Sequence, residues 1–560
     1  MRYFPILFLL CLSTLSNATN YYVSTSGNDA NPGTISQPFR SIQYALNTAS
    51  NLETLFIEGG IYNERVTFTV SGTESNPITI TSYNGVATID GNGFTLFGPY
   101  GGMFEMIDCN HLVIDNLRVQ HSTYIGFLVF GNDVTDITIR NCSTFDTGSS
   151  GIYANGQAAV GSYGIRKILI ENNSIERAIN RSPGGYEECI SLTEGVENFT
   201  IRFNEVFNGG IGTIPGGPIG IDAKNGVRNG VIHGNVVYDM NNSSAGIYVD
   251  AYERSALNIQ IYQNEVFGCE DIGISIGAEQ GGTVDNISVF NNLIYNNGAD
   301  GIKITGFSTD GSPNDIRRVK VYNNTVFQNG FQGTLGGNNQ GGSMWVEGNT
   351  GLIEVRNNIF ADNNFNNGVH IYLSNQANVD LSNNLISNNK GRSWSNPPMQ
   401  EINGQFAIVD DPGFVDVTRF NFNLDNASPA IDAGTTDLFP SVDFNNDSRP
   451  FGSGVDIGAF ENQLIALPVE LMAFNATFDP TTEGVDLNWT TATEVNAAYF
   501  DIESSPKGRV FQAVGRLSAF GNSQAQTKYH FKDGQALKGE RYYRLKQVDA
   551  DGSFVYSPIV

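Results

Sequence analysis

Charge is scarce in this sequence, and positive charge is scarcest. Only 16% of the 560 residues are charged, and 57 Asp and Glu outnumber 31 Lys and Arg, which gives a formal net charge of −26 at pH 7. Such a chain repels nucleic-acid phosphates and anionic lipid headgroups, so we expect neither as a partner. The sequence also lacks a run of about 18 consecutive apolar residues, so we expect no membrane insertion.

Cysteine is equally sparse. The five cysteines lack the paired CxxC spacing of zinc sites, so we expect no sulfur-bound metal and favour buried thiols over disulfides. The N terminus has the features of an export signal, with Arg2, an apolar run at 4–12 and small residues at 16–18. We therefore expect cleavage after Ala18 and a secreted or cell-surface protein.

Glycine and asparagine are abundant instead, and they accompany a repeat. From about residue 110 to 390, aliphatic residues alternate with polar ones and are followed by Asn, as in Ile168–Asn173 and Val319–Asn324. This Asn position falls at Cys142, Asn173, Asn204, Asn235, Asn264, Asn292, Asn324, Asn358 and Asn384, in steps of 26 to 34 residues. Such steps fit one solenoid coil each, with an inward Asn ladder that satisfies polar groups at a turn.

Each coil carries a second strand that opens with glycine and an aliphatic residue, as at Gly220-Ile221 and Gly246-Ile247. Parallel stacking of these strands sends one residue set into the core and the other outward. The sequence therefore predicts an all-β protein whose main domain is a right-handed parallel β-helix. We expect functional residues on the outward face of the second strands.

Two end segments resemble those of pectate-lyase-like β-helix proteins. Near the N terminus these are Tyr21-Tyr22-Val23-Ser24 and Gly59-Gly60-Ile61-Tyr62-Asn63-Glu64, with a cap helix expected at about 38–48. Near the other end, Ser428–Gly434, Asp443–Arg449 and Asp456–Glu461 resemble the closing segment of such proteins, where structural closure is favoured over Ca²⁺ binding. The resemblance covers most of residues 20–462 and implies the fold more than the reaction.

The composition changes after about residue 466, where alternating strands such as Val485–Trp489 and Tyr542–Lys546 predict a small β-sandwich. Leu467–Leu471 and Tyr543–Asp549 resemble the module that precedes the sorting tail of Bacteroidota type IX secretion cargo. We therefore expect four parts: a signal peptide (1–18), the N-terminal cap and first coils (19–110), the β-helix with its closing segment (111–462) and a fibronectin-III-like sandwich (467–560).

Aligning the second strands gives two outward columns. The first reads Tyr153, Ser191, Asp222, Tyr248, Ser275, Lys303, Trp345 and His370, and the second reads Thr193, Lys224, Asp250, Gly277, Thr305 and Glu347. Because coils lie about 4.8 Å apart, Asp222, Lys224 and Asp250, with Glu279 further along its coil, can share one patch. The alternative is a solvated face on which Lys224 merely pairs with an aspartate.

This patch combines carboxylates, an amine and rings, which is how proteins bind sugars. The candidate catalytic residues are Asp222, Lys224, Asp250, Glu279 and Lys303, and the candidate substrate-binding residues are Tyr153, Glu188, Tyr248, Tyr252, Trp345 and Glu347. Glu187 and His370 are weaker candidates for contact with the ligand. We expect a monomer whose partner is a polysaccharide or oligosaccharide.

Three functions are compatible with the patch, and a lyase is favoured over a hydrolase. In a lyase, Ca²⁺ held by Asp222, Asp250 and Glu279 would acidify the uronate C5 proton, and Lys224 or Lys303 would remove it. The family resemblance implies such chemistry for some members. In a glycoside hydrolase, two of the three carboxyl groups would act as a pair without metal. A non-catalytic glycan-binding protein or adhesin is the third function.

Overall fold

The computed structural model describes two compact units that divide after Asn462. The described residues are 19–49, 51–95, 101–181, 188–210, 218–241, 245–330, 342–348, 350–363, 371–373, 378–389, 394–395, 407–463, 469–494, 497–506, 511–521, 523, 525–534, 540–549 and 554–560. All structural statements below refer to these residues.

The first unit is a parallel β-helix, as the repeat predicts. One sheet of 23 described strands supplies two sides of each coil, a longer strand and a shorter one. Its strands are Thr19–Val23, Leu52–Tyr62, Ile78–Asp90, Leu112–Asp115, Leu117–Gln120, Val134–Arg140, Ser143–Phe145, Ile165–Glu171, Ser174–Glu176, Val196–Arg202, Glu205–Phe207, Val227–His233, Val236–Tyr238, Ser255–Tyr262, Glu265–Phe267, Thr283–Phe290, Leu293–Tyr295, Asp315–Tyr322, Thr325–Phe327, Ile353–Arg356, Ile359–Ala361, Val379–Ser382 and Leu385–Ser387.

A second parallel sheet of twelve described strands forms the remaining side. Its strands are Val66–Phe68, Gly102–Ile107, Ile125–Phe130, Ile152–Asn155, Glu188–Thr193, Ile219–Lys224, Ala245–Tyr252, Ile272–Glu279, Ile302–Phe307, Met344–Val346, Ile371–Leu373 and Trp394–Ser395. Ile221, Val249 and Ile276 belong to the continuous core. Since successive strand residues point to opposite faces, the residues between them point away from the core.

The predicted asparagine ladder is confirmed along its whole length. The Asn173 amide nitrogen donates to the side-chain oxygen of Asn204 at 2.9 Å, and the same contact repeats to Asn358 and Asn384. Each Asn also accepts a bond from the backbone N–H of the preceding ladder residue. A second ladder, which the sequence reading missed, runs through Asn297, Asn329, Asn363 and Asn389.

Both ends of the β-helix are closed by polar contacts to backbone. At the N-terminal end the cap helix spans Ile42–Thr48, so it begins later than predicted. Its Gln43 side chain accepts from Thr67 N–H and donates to Thr67 C=O, which satisfies the edge strand of the twelve-stranded sheet. Glu64 accepts from the first helical N–H groups, Ile42 and Gln43.

The closing segment is held by buried charges and by the turn of the solenoid. The Asp443 carboxylate accepts backbone N–H bonds from Asn445, Asp447 and Glu461. Arg449 lies 3.4 Å from the Glu461 carboxylate, and both side chains are fully buried. The Asp443 oxygens therefore serve closure, as expected. A short hairpin of strands Phe414–Asp416 and Asn421–Leu424, joined by the 3₁₀ turn Val417–Arg419, belongs to this region.

The second unit consists of antiparallel sheets. One contains Val469–Asp479, Gly484–Glu494 and Thr527–Asp533, and the other contains Ala497–Ser505, Gln512–Ser518, Tyr542–Asp549 and Phe554–Tyr556. Side chains of both sheets share one core, in which the Trp489 ring lies 5.5 Å from the Phe500 ring and stacks on Tyr529. In neither unit do the described residues include a helical segment with the length and hydrophobicity that crossing a bilayer requires.

Replacing Asn235 by Ala should lower the free energy of unfolding by about 2–5 kcal/mol, because two buried donors of Asn204 lose their acceptor. Urea unfolding measures this loss. Gln260→Ala removes an exposed amide from a strand in the next coil and should change stability by less than about 0.5 kcal/mol. Equal effects of the two variants would contradict a structural role for the ladder.

Candidate active site

Backbone pairing aligns the second strands as the sequence predicts. In the first column Asp222 pairs with Tyr248, and the full order is Tyr153, Ser191, Asp222, Tyr248, Ser275, Lys303 and Trp345. In the second column Lys224 pairs with Asp250, followed by Gly277 and Thr305. Glu279 pairs with Tyr252 at the end of the neighbouring strand. Asp222, Lys224, Asp250 and Glu279 thus lie on three consecutive coils.

Two weaker candidates, Glu187 and His370, lie outside the described residues. Trp345 pairs with Tyr372, so Tyr372 occupies the column position that the sequence alignment assigned to His370. The alignment was wrong here by two residues, since the strand in this coil is Ile371–Leu373.

The candidate residues are less accessible than the sequence suggested. Asp222 is 1% exposed and Asp250 is 9% exposed, although Ile221 and Ala223 beside Asp222 are the ones that enter the core. The alternative of a solvated face therefore does not fit these positions. Glu188 is buried as well, whereas Tyr248 and Glu279 are partly exposed. We call Glu188, Asp222, Lys224, Tyr248, Asp250 and Glu279 the acidic cluster.

Lys224 forms a buried ion pair within this cluster. Its ammonium contacts the Glu188 carboxylate and lies 3.9 Å from Asp222. Burial opposes the lysine charge, but the charges of Glu188 and Asp222 outweigh it and raise the pKa of Lys224 above its ordinary value. A lysine base needs the opposite shift, so the predicted role of Lys224 as the proton acceptor does not agree with this geometry.

Several buried oxygens of the cluster lack a hydrogen-bond partner among the described residues. They are both carboxylate oxygens of Asp222, Oδ1 of Asp250 and the Ser191 hydroxyl. Burial, with the neighbouring Glu188 charge, raises the pKa of Asp222 well above its usual range despite Lys224. Burial and Glu279 raise the pKa of Asp250 to about 8. At neutral pH Asp250 therefore favours the protonated form, which can donate a hydrogen bond, and burial shifts the pKa of Asp222 in the same direction.

A second pair joins neighbouring coils. The Tyr248 hydroxyl donates to Oε1 of Glu279 at 2.7 Å, and burial together with the Asp250 and Glu279 charges raises the pKa of Tyr248 well above 10. The space for this phenol comes from Gly277, where a Cβ atom would lie 2.1 Å from the Tyr248 oxygen. Aligning the second strands placed Gly277 in the second column, but the spacing of residues could not show that the Tyr248 ring lies against it.

The remaining candidates lie outside the acidic cluster. Lys303 is two coils from Tyr248, about 10 Å along the stack, and its charge acts on Asp271, whose pKa is raised by burial to about 6. Trp345 Nε1 donates to the Glu347 carboxylate at 3.0 Å. Tyr252, 38% exposed, lies beside Glu279, and Tyr153 is close enough for its charge to act on Lys224.

The donor atoms of the cluster do not form a complete metal site. Asp222 and Asp250 have free oxygens of the kind that Ca²⁺ binds. However, no group of three or more Asp, Glu, His or Cys side chains in the described part of the chain is arranged to hold a metal ion. The predicted set of Asp222, Asp250 and Glu279 therefore does not fit a cation by itself.

Comparison with protein families adds two matches. Residues 21–186 match the family described as "Pel9A-like, right handed beta helix region". Residues 284–394 match the family described as "Disaggregatase related". Both matched ranges lie within the first unit.

Solved structures of similar shape include the pectate lyase Pel9A and an alginate lyase from Paenibacillus sp. The Pel9A comparison covers 79% of this chain and 96% of that protein, with 18% identity and a TM-score of 0.41. The alginate lyase comparison covers 55% of this chain and 95% of that protein, with 16% identity and a TM-score of 0.37.

Two relatives are similar in sequence. The pectate lyase PEL9 of Emericella nidulans is 38% identical over 74 residues, which cover 13% of this chain and 18% of that enzyme. The uncharacterized protein YwoF of Bacillus subtilis (strain 168) is 30% identical over 450 residues, which cover 73% of this chain and 91% of YwoF. This chain therefore belongs to the same protein family as YwoF, and its residues 21–186 carry a Pel9A-like right-handed β-helix region.

Proposed function

We propose that this protein is a carbohydrate-active enzyme that cleaves a uronate-containing polysaccharide by β-elimination at the acidic cluster. The observation that carries this proposal is the group of buried oxygens on Asp222 and Asp250 that have no hydrogen-bond partner among the described residues and lie beside the Lys224 ammonium. Buried polar atoms are normally paired, so these atoms are suited to a polar ligand. The match to the Pel9A-like region and the local likeness to PEL9, a pectate lyase, support the same reaction class.

The charge state of the cluster suits an anionic sugar. Protonated Asp222 and Asp250 can donate hydrogen bonds to a uronate carboxylate, and Lys224 adds positive charge next to them. When the C5 proton leaves, negative charge spreads into that carboxylate. Donors already held in place stabilise this charge most effectively in a site from which water is excluded.

The Tyr248–Glu279 pair supplies the proton transfers in this proposal. The Glu279 carboxylate takes the C5 proton, and the electron pair of the C–H bond forms the C4–C5 double bond while the C4–O4 bond breaks. The Tyr248 phenol, whose pKa is raised, protonates the leaving oxygen. The 2.7 Å hydrogen bond then lets Glu279 return its proton to the tyrosine, which restores both groups. Lys224 neutralises charge here and does not act as the base.

Hydrolysis by a carboxyl pair is the second candidate, and the pKa of Asp250 favours it. A protonated Asp250 near the Glu279 carboxylate is the kind of acid and base pair that glycosidases use. We also propose that Ca²⁺ can bind at Asp222 and Asp250. The substrate would have to supply the further ligands, so the reaction above assigns no step to the ion. We propose, in addition, that the protein acts outside the cell.

Incubation with polygalacturonate and alginate should raise the absorbance near 235 nm, because elimination creates a conjugated double bond. Mass spectrometry should show unsaturated products whose masses equal the sum of their sugar residues, because elimination adds no water. New reducing ends with added water and no absorbance would instead identify a hydrolase. Binding without either signal would contradict both reactions. Repeating the assay with a chelator and then with added Ca²⁺ tests the calcium proposal separately.

Asp250→Asn distinguishes the two reactions. For β-elimination, Asn keeps a neutral hydrogen-bond donor, so turnover should fall less than about tenfold, and the loss of activity near pH 8 should disappear from the pH profile. For hydrolysis, loss of the acid should cost about 10²–10⁴-fold at every pH. Lys224→Ala is a poor comparison, because it leaves the buried Glu188 without its counter-charge.

The stability of the same variant checks the protonation state independently. The pKa of Asp250 in the folded protein lies above the ordinary value of 3.8. Its contribution to the free energy of unfolding is therefore fully present below about pH 4 and is lost as the pH rises towards 8. Thermal unfolding should therefore show Asp250→Asn gaining stability relative to the parent between pH 5 and 8. A constant difference over this range would mean that Asp250 is ionised in the folded protein.

Gly277→Ala should reduce turnover about as much as Tyr248→Phe, because the added Cβ displaces the phenol from Glu279. The effect should appear in kcat rather than KM, since a proton-transfer group is moved. Gly306→Ala is the matched control in the next coil, where the nearest atom would lie 3.4 Å from the added Cβ. Full activity of Gly277→Ala would remove the Tyr248–Glu279 pair from the mechanism.

A further inference from the structure

One turn of the solenoid repeats an unusual backbone conformation in successive coils from Asn116 to Asn383. It lies between the longer and the shorter strand of the 23-stranded sheet, immediately before the Asn ladder. The residues with positive φ at this turn are Asn116, Asn141, Asn172, Phe203, Gly234, Gln263, Asn291, Asn323, Asn357 and Asn383. Asn and Gly are the residues that best tolerate this conformation, and Phe203 at φ +55° is the aromatic residue of this column.

Later positions of this turn column hold the closing segment. Gln263 Nε2 donates to Asp443 C=O at 2.7 Å, and Asn291 Nδ2 donates to Val442 C=O at 2.7 Å. Asn323 similarly bonds Asp456 C=O. At these positions the side-chain amides of the column therefore bind backbone carbonyl groups of the closing segment. Phe203 continues the same column with an aromatic ring in place of a side-chain amide.

The Phe203 ring is exposed yet firmly supported. The residue is 51% exposed, and a Cβ at Gly234 in the next coil would lie 2.5 Å from the ring. Its edge-to-face contact with His233 has a centroid distance of 5.1 Å, and His233 begins a stack with Tyr262 and Phe290. Strain retained at an exposed aromatic residue is typical of positions that bind a ligand.

Charged groups flank this ring. Arg202 Nε donates to the Glu171 carboxylate at 2.8 Å, and the Arg202 guanidinium carbon is 5.7 Å from the Phe203 ring centroid. An apolar ring face beside hydrogen-bonding groups suits a sugar, whose ring carries C–H groups on its faces and hydroxyls at its edge.

We propose that Phe203, Arg202 and Glu171 form a non-catalytic site that binds a pyranose unit of a polysaccharide. The site lies on the 23-stranded sheet, whereas the acidic cluster lies on the twelve-stranded sheet. It rests on the proposed function for the class of ligand but does not depend on turnover. Its role is to hold a long chain on the protein while the cluster acts on another part of it.

The test measures binding without cleavage. In a Glu279→Gln background, affinity electrophoresis in gels containing polygalacturonate or alginate should show binding weakened about five- to tenfold by Phe203→Asn, as expected for the loss of one stacked ring. The thermal unfolding temperature should stay equal or rise, because Asn is the common residue of this turn column. Phe478→Asn, at an exposed Phe of the second unit, is the matched control and should bind normally.

Substitution by other large residues separates stacking from packing. Phe203→Trp should bind the polymers as the parent does, whereas Phe203→Leu should bind as weakly as Phe203→Asn. Equal binding by all four proteins, or equal binding by the Leu and Trp variants, would overturn the proposal.

The two proposals fail in different ways. With an otherwise unchanged chain, Phe203→Asn should leave turnover of short oligosaccharides unaltered while weakening polymer binding. If no glycan is cleaved but polymer binding still depends on Phe203, the binding site stands and the proposed reaction fails. If cleavage occurs and polymer binding is independent of Phe203, the reaction stands and the binding site fails.

Discussion

Hydrogen bonding between consecutive coils is the interaction on which the rest of this structure depends. Backbone bonds join each strand to its counterpart in the next coil, and the Asn ladders continue the same pairing through a turn. Because ladder amides are buried, each needs its neighbours to remain satisfied. The stacking is therefore cooperative, and side chains distant in sequence are held in fixed rows.

The acidic cluster is a direct consequence of those rows. Lys224 and Asp250 belong to adjacent coils, and Glu188 reaches Lys224 from the preceding coil. Burial in this water-poor site opposes ionisation of Asp222 and Asp250 and raises their pKa values, while the neighbouring Glu188 carboxylate favours the charged form of Lys224. One geometric constraint thus places carboxyl groups with raised pKa values beside a fixed cation, and in the proposed function this combination binds an anionic sugar.

The ends of the solenoid use the same chemistry for a different purpose. The Gln43 side chain forms the two hydrogen bonds with Thr67 that a further strand would form at the edge of the twelve-stranded sheet. At the other end, Gln263 and Asn291 donate to backbone carbonyls of the closing segment. Phe203 occupies the equivalent turn of an earlier coil, and its side chain is a ring and not an amide. The repeated turn serves closure in the later coils, and the proposed sugar site would use the same turn with a different side chain.

Two repeated signals, the recurring Asn and the recurring pair of glycine and an aliphatic residue, were sufficient to predict the parallel β-helix and the Asn ladder. They also predicted the columns that contain Asp222 and Asp250, because all of these features follow from a periodic backbone. The column failed at His370, because the glycine and aliphatic pair at 368–369 precedes the observed strand, Ile371–Leu373. Burial, the Lys224–Glu188 pair and the contact of Tyr248 with Glu279 were decided by the tertiary structure alone. Protonation depends on the surrounding dielectric and on charges in other coils, and neither quantity is encoded in the spacing of residues along the chain.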